Sequence, residues 1–171
     1  MDYSWLLIMS LGISSVKTDL NSHQMTSMPG LFTEASIAYQ TPTSGHAGMR
    51  VTHFSNTIPV RDIYHASHGK EVEVSELIIS PFIGGSRSLW RNGRFYVDVG
   101  PQWQLYRQFG LGGRVQYLHR VKLKRSKRFL IGAKWGADYW AFDTLDGYQD
   151  QTDQQGDIAL NASISLALPF D

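Results

Sequence analysis

The sequence predicts an all-β protein: an eight-stranded antiparallel up-and-down transmembrane β-barrel, with residues 1–171 forming a single domain. Three observations lead there. Apolar and polar residues alternate with period two along nearly the whole chain, and no long stretch keeps the period of a helix. The alternating runs number eight, and closing such a sheet on itself removes its exposed edges. Long and short connections alternate between the runs, as they do when both chain ends lie at one end of a barrel.

The first run places Trp5, Leu7, Met9, Leu11 and Ile13 on one face. In the second, Leu31, Ala35, Ile37 and Tyr39 oppose Glu34, Ser36 and Gln40. The third spans Ala47 to Asn56, and the fourth aligns Leu77, Ile79, Pro81 and Ile83. The fifth is the clearest: Phe95, Val97, Val99, Pro101, Trp103 and Leu105 alternate with Tyr96, Asp98, Gly100, Gln102 and Gln104. The sixth sets Leu111, Val115, Tyr117, Val121 and Leu123 against Arg114, Gln116, Arg120 and Lys122. In the seventh, Phe129, Ile131, Ala133, Trp135, Ala137 and Tyr139 oppose Gly132, Lys134, Gly136 and Asp138. The eighth runs from Ile158 to Phe170, apolar at every second residue. Each run is about 10 to 15 residues long, enough for a tilted strand to cross a bilayer. Pro81 and Pro101 lack a ladder donor, so a bulge is expected at each.

Long connections fall near 18–30, 57–71 and 143–156, and shorter ones near 41–46, 86–93 and 125–127, with a brief exception at Gln108 to Leu111. Short turns on one side and long loops on the other are the habit of bacterial outer-membrane barrels. Period two alone does not say which face points outward, because a lipocalin-like carrier turns its apolar face inward. Three features turn the apolar face out. The polar face mixes opposite charges with glycine (Glu34, Arg50, Asp98, Arg114, Lys134 and Asp138), as suits a narrow interior filled by ion pairs. Trp5, Tyr39, Trp103, Tyr117 and Tyr139 recur near strand ends, like interfacial girdles. The closing "ISLALPFD" resembles the C-terminal assembly signal of outer-membrane proteins, with Asp171 following Phe170.

Composition narrows the function. A formal charge of +1 with 18% charged residues gives no global field for nucleic acid. Cysteine is absent, which removes disulfides and thiolate metal sites. No apolar run approaches the roughly 20 residues of a spanning helix. "WLLIM" is too short for a signal-peptide core and follows Asp2, so the chain reads as a mature sequence after removal of any export signal.

The stretch "RVTHFSNT" (Arg50 to Thr57) departs from the pattern, because His53 and Ser55 take outward positions where apolar residues belong. If Asn56 lies opposite Val72, Ser55 faces Glu73 on the next strand, and His53 sits diagonally on the same face. A serine, a histidine and a carboxylate on one surface suit acyl transfer. Ser55 would be the nucleophile, His53 its base and Glu73 the group that orients the imidazole. Asn56 is the adjacent candidate for oxyanion support, although its side chain starts inward, and backbone N–H groups are the alternative. Strand ends at the headgroup level also tolerate such residues without any chemistry.

"THFSN" on an outward-facing strand, followed by a loop and an acid early in the next strand, resembles the PagL-type lipid A deacylases. That resemblance implies an eight-stranded outer-membrane barrel hydrolysing an ester-linked acyl chain of lipopolysaccharide with a Ser-His-Glu triad on its outer wall. The pattern His-x-Ser-Asn falls on His53, Ser55 and Asn56, and the acid on Glu73, with Glu71 as a spare. The family typically carries the motif in its second-last strand, whereas here it lies in the third. Thr57 and Ile58 also stand where a glycine is usual. The expected partner is lipid A in a bacterial outer membrane, with no cofactor and no metal. The rival reading is a non-enzymatic barrel, serving adhesion or serum resistance through its long loops. "HASH" (His65 to His68) and the Asp-rich segment Asp143 to Asp157 read as solvated connections, and the basic "HRVKLKRSKR" (His119 to Arg128) reads as the cap of a hairpin, which would meet anionic phospholipid headgroups if that turn faces the periplasm.

Overall fold

The computed structural model describes residues 4–20, 23–60, 70–90, 92–104, 109–122, 128–140 and 157–170. The "HASH" histidines, most of the Asp-rich segment and the central residues of the basic turn lie outside this set. Nine strands are described: β1 (Trp5–Leu20), β2 (His23–Thr26), β3 (Gly30–Gln40), β4 (Gly45–Val60), β5 (Lys70–Trp90), β6 (Gly93–Gln104), β7 (Phe109–Lys122), β8 (Arg128–Trp140) and β9 (Asp157–Phe170). Each barrel strand pairs antiparallel with its neighbours, and β1 pairs with β9 to close the ring. β2 is a short hairpin extension of β1, from Lys17↔Thr26 to Leu20↔His23, and stands outside the eight-membered ring. The fold is therefore a closed eight-stranded antiparallel barrel.

The two faces are sorted as the alternation requires. Thirty large hydrophobic side chains among the described residues are exposed, with Leu11 at 61%, Ile83 at 68% and Ile164 at 68%. The interior holds the charges: Glu34, Arg50, Arg114, Lys134 and Asp138 are all buried. A water-soluble barrel has the opposite arrangement, since exposed apolar area on this scale is costly in water and favourable in hydrocarbon. Aromatic residues collect at both ends of the band. Trp5 packs edge-on to Tyr39 at 5.1 Å and stacks with Phe170 at 6.3 Å at the turn end. Trp103 meets Phe109 at 5.5 Å at the loop end.

Inside, Glu34 accepts from Arg114 Nε at 3.0 Å, Lys134 Nζ at 2.6 Å and Thr52 Oγ1 at 3.2 Å. Arg114 Nη1 also donates to Asp138 at 2.6 Å, and Asn161 Nδ2 donates to the other Asp138 oxygen at 3.0 Å. Nearer the turn end, Arg50 pairs with Asp98 and lies over the Phe82 ring, 4.4 Å from its centroid. A cavity of about 10 Å³ lies beside Glu34, His46, Arg50, Asp98 and Lys134, whose side chains fill this part of the interior.

Two expectations are corrected. The strands reach 21 residues in β5 and 16 in β1 and β4, longer than their alternating cores. Their ends leave the apolar band, where polar residues continue the ladder without an alternation to mark it. No bulge accompanies Pro81 or Pro101. The two prolines lie opposite each other, where the β5–β6 ladder is interrupted between Ile79↔Trp103 and Ile83↔Val99 with unchanged register. Facing each other, they share one gap in the ladder, and the Ser80 hydroxyl donates to the Pro101 carbonyl at 2.7 Å. The register shift of β5 lies elsewhere, between Ser88 and Trp90. Glycines let the wall bend sharply: a Cβ on Gly132 would run into the Tyr117 carbonyl, and one on Gly12 into that of Ala162.

Candidate functional site

β4 and β5 form the longest paired ladder of the barrel, running without a shift from Gly45↔Gly85 to Val60↔Lys70. His53 and Ser55 belong to the loop-end part of β4, and Glu73 to the matching part of β5. All three face outward. Inward neighbours set this parity, because Thr52, Phe54 and Asn56 are buried in the barrel.

The register differs from the sequence expectation by two residues. Asn56 pairs with Val74 rather than Val72, so Thr57 lies opposite Glu73 and Ser55 opposite Ser75. A shift of two leaves every side chain on its expected face but changes its neighbours. Nothing local in the sequence specifies such a shift. It is set by pairing along the whole hairpin, whose other end is held where Ser86 N donates to Ser44 O at 2.7 Å.

The contacts follow from this register. The Ser55 hydroxyl donates to Glu73 Oε1 at 3.2 Å. His53 Nε2 lies 3.1 Å from the Ser75 hydroxyl. His53 itself stands opposite Leu77, four residues along β5 from Glu73, a separation of about 13 Å at the rise of a strand. The structure thus gathers His53, Ser55 and Glu73 into one outward patch but gives them different partners from a triad in line. Two hydroxyl–base pairs stand side by side, Ser75 with His53 and Ser55 with Glu73. Their serines face each other across the ladder, with Cβ atoms about 5 Å apart by the geometry of such a pair.

Ser75 escaped the sequence reading although its parity was legible, since it shares the outward face with Glu73 and Leu77. Under the assumed register it would stand directly opposite His53, but the motif assigns the nucleophile to Ser55. Glu71, the spare acid, pairs through its backbone with Pro59, farther from Ser55 than Glu73 is. Glu76 stands opposite Phe54 in the inward row.

Asn56 is corrected as an oxyanion donor. Its side chain is buried inside the barrel, where Nδ2 donates to Ser14 O at 2.9 Å, Ser27 Oγ at 3.1 Å and Met28 O at 3.2 Å. Its carbonyl oxygen accepts from the Ser14 hydroxyl at 2.8 Å. The amide ties β4 to β1 and to the segment after β2, and the barrel wall separates it from the outward serines.

The patch is a polar island in an apolar field. Leu31 on β3 lies opposite Ser55, Leu77 on β5 lies opposite His53, and Val51 precedes His53 on the same face; all three are exposed. Among the described residues no cluster of histidine and acidic side chains is placed to hold a metal ion.

No protein-family model matches the chain, and no curated protein matches it. A solved structure described as "De novo design of transmembrane beta-barrels" is similar over 96% of this chain and 95% of that one, with a TM-score of 0.51 and 12% sequence identity. At that identity the likeness speaks for the fold alone. Together with the outward apolar face and the charged interior, it makes this chain a barrel of the transmembrane kind.

Proposed function

We propose that the protein is an outer-membrane serine esterase that removes an ester-linked acyl chain from lipid A, working from the outward patch on β4 and β5. The observation that carries this reading is the hydrogen bond between the His53 imidazole and a serine hydroxyl on the lipid-facing wall. A nucleophile and its base in contact are the minimum for acyl transfer. The apolar flanks Leu31, Leu77 and Val51 suit an acyl chain, and the patch lies toward the loop end. In an outer membrane, that end faces the leaflet containing lipopolysaccharide. The likeness of "THFSN" to the lipid A deacylases supports the same substrate.

In this mechanism a serine Oγ attacks the ester carbonyl while His53 takes its proton, and the imidazolium then protonates the departing sugar hydroxyl. Water, deprotonated by the same imidazole, cleaves the acyl-enzyme to release a fatty acid and restore the serine. Ser55 is the nucleophile by the motif, and Ser75 is the nucleophile by contact with the base. An imidazole is the better base near neutral pH, since a carboxylate holds a proton too weakly. This favours the Ser75–His53 pair, with Glu73 holding Ser55 alongside it. No cofactor enters the chemistry.

The test is digestion of purified lipid A in detergent, read by mass spectrometry, for the parent, Ser55→Ala, Ser75→Ala and His53→Ala. Loss of one hydroxyacyl chain by the parent, abolished in His53→Ala and in one serine variant, supports the reading and names the nucleophile. Intact lipid A after incubation with the folded parent rejects the esterase and leaves a barrel acting through its loops.

A further inference from the structure

Charge is distributed unevenly between the ends of the barrel. At the turn end, residues 87–97 hold three arginines and residues 119–128 hold six lysines and arginines, with no acidic residue in either stretch. In the sequence between β8 and β9, residues 141–157 hold five aspartates and no lysine or arginine. The alternation that builds the wall does not require this polarity, because the bilayer-facing residues are apolar whichever end is basic.

On the outward wall of β5, β6 and β7 the basic end meets a set of ordered aromatic contacts. Trp90 lies opposite Gly93, and Gly93 opposite His119. The absence of a Cβ at Gly93 leaves space occupied by the Tyr117 phenol, since an added methyl would collide with that ring and its hydroxyl. Trp90 meets the Tyr117 ring edge-on at 5.8 Å, and the Tyr117 hydroxyl lies 3.1 Å from His119 Nδ1. With that hydroxyl donating, the imidazole carries its proton on Nε2 and presents a second donor. Arg87 is exposed in the adjacent row, opposite Phe95, which in turn is opposite Tyr117. Two strand spacings, about 10 Å, separate the Arg87 and Tyr117 backbones, a gap that a long guanidinium side chain can close around one phosphate. The next row toward the barrel middle is apolar, with exposed Val97 and Val115 opposite each other.

We propose that this turn-end wall of β5, β6 and β7 is a docking surface for an anionic phospholipid, its phosphate held between Arg87 and His119 and its upper acyl chain lying over Val97 and Val115. The charge supplies the complementarity, and the site is continuous with the apolar band that any membrane lipid must cover. Trp90 and Tyr117 sit at the level of the glycerol ester, where an amphipathic ring has apolar contacts on one side and polar ones on the other.

The experiment reconstitutes the full-length protein in nanodiscs of equal phosphatidylglycerol and phosphatidylcholine with identical acyl chains. Native mass spectrometry then reads which lipids remain bound. Identical chains confine the difference between the two lipids to the headgroup. The parent retains phosphatidylglycerol in preference, and the double variant Arg87→Gln, His119→Gln lowers that preference by more than the roughly fivefold expected from loss of the Arg87 charge. Arg87→Gln alone gives an intermediate value, and Lys17→Gln at the loop end leaves the preference unchanged. Equal retention of both lipids by the parent overturns the proposal. So does an equal loss in Lys17→Gln, which would reduce the effect to diffuse attraction.

Discussion

Replacing Glu34 by leucine removes the acceptor at the centre of the barrel interior. Its carboxylate is 4% exposed and satisfies Arg114 Nε, Lys134 Nζ and the Thr52 hydroxyl at once. Arg114 keeps Asp138 as a second partner, but Lys134, 3% exposed, loses the carboxylate that neutralises it. Breaking a buried pair from one side costs about 3–5 kcal/mol, because the remaining charge stays desolvated and unpaired. Removing both members restores the balance, since Arg114 and Asp138 still form a pair of opposite charges. The double variant Glu34→Leu, Lys134→Met is therefore expected to lose far less than the two single variants combined, with a coupling of about 2 kcal/mol or more. The assay is urea unfolding in lipid vesicles followed by tryptophan fluorescence, for the parent, both single variants and the double. Additive single costs, with coupling below about 0.5 kcal/mol, would refute the claim that these two charges are held in place by each other.

Two other perturbations test separate parts of the structure. Ile164→Arg, on the outward face of β9 opposite Leu11 and Ala133, places a charge in the apolar band and is expected to cost about 2–4 kcal/mol of folding stability, read by urea unfolding in vesicles; a cost below about 0.5 kcal/mol would place Ile164 outside the bilayer. Asn56→Ala leaves the Ser14 and Met28 carbonyls without the amide donor and is expected to cost about 1–3 kcal/mol in unfolding experiments. Any activity should persist where the variant folds, and selective loss of activity at unchanged stability would return Asn56 to the chemistry.

Both the interior network and the outward patch show how far a linear reading extends. Alternation assigned Glu34, Arg114, Lys134 and Asp138 to one face and Leu11, Ile131 and Ile164 to the other, because a strand offers only two faces and the period is two. The same rule placed His53, Ser55 and Glu73 on a common outward surface and made Asn56 an inward residue. Barrel closure was legible for a related reason: eight amphipathic runs without helices have no other way to pair every strand edge.

Contacts across strands were not legible to the same degree. Which residue faces which depends on register, and register is decided by the sum of pairings along a hairpin rather than by any short motif. A displacement of two residues in β4 against β5 kept every face and put Ser75 in place of Glu73 directly opposite Ser55, although the Ser55 hydroxyl still reaches Glu73. It also moved Ser75 from opposite His53 to its diagonal, where the imidazole still reaches a hydroxyl that the motif had not named. Asn56 likewise reaches Ser14, Ser27 and Met28, on distant parts of the chain, only across the interior of the closed barrel. The opposition of Pro81 and Pro101, which removed the need for bulges, was set in the same way. Sequence alone determined which residues meet lipid and which fill the barrel, because parity is a local property of a strand. The tertiary structure decided which of them touch, because cross-strand neighbours exist only once the ring has closed.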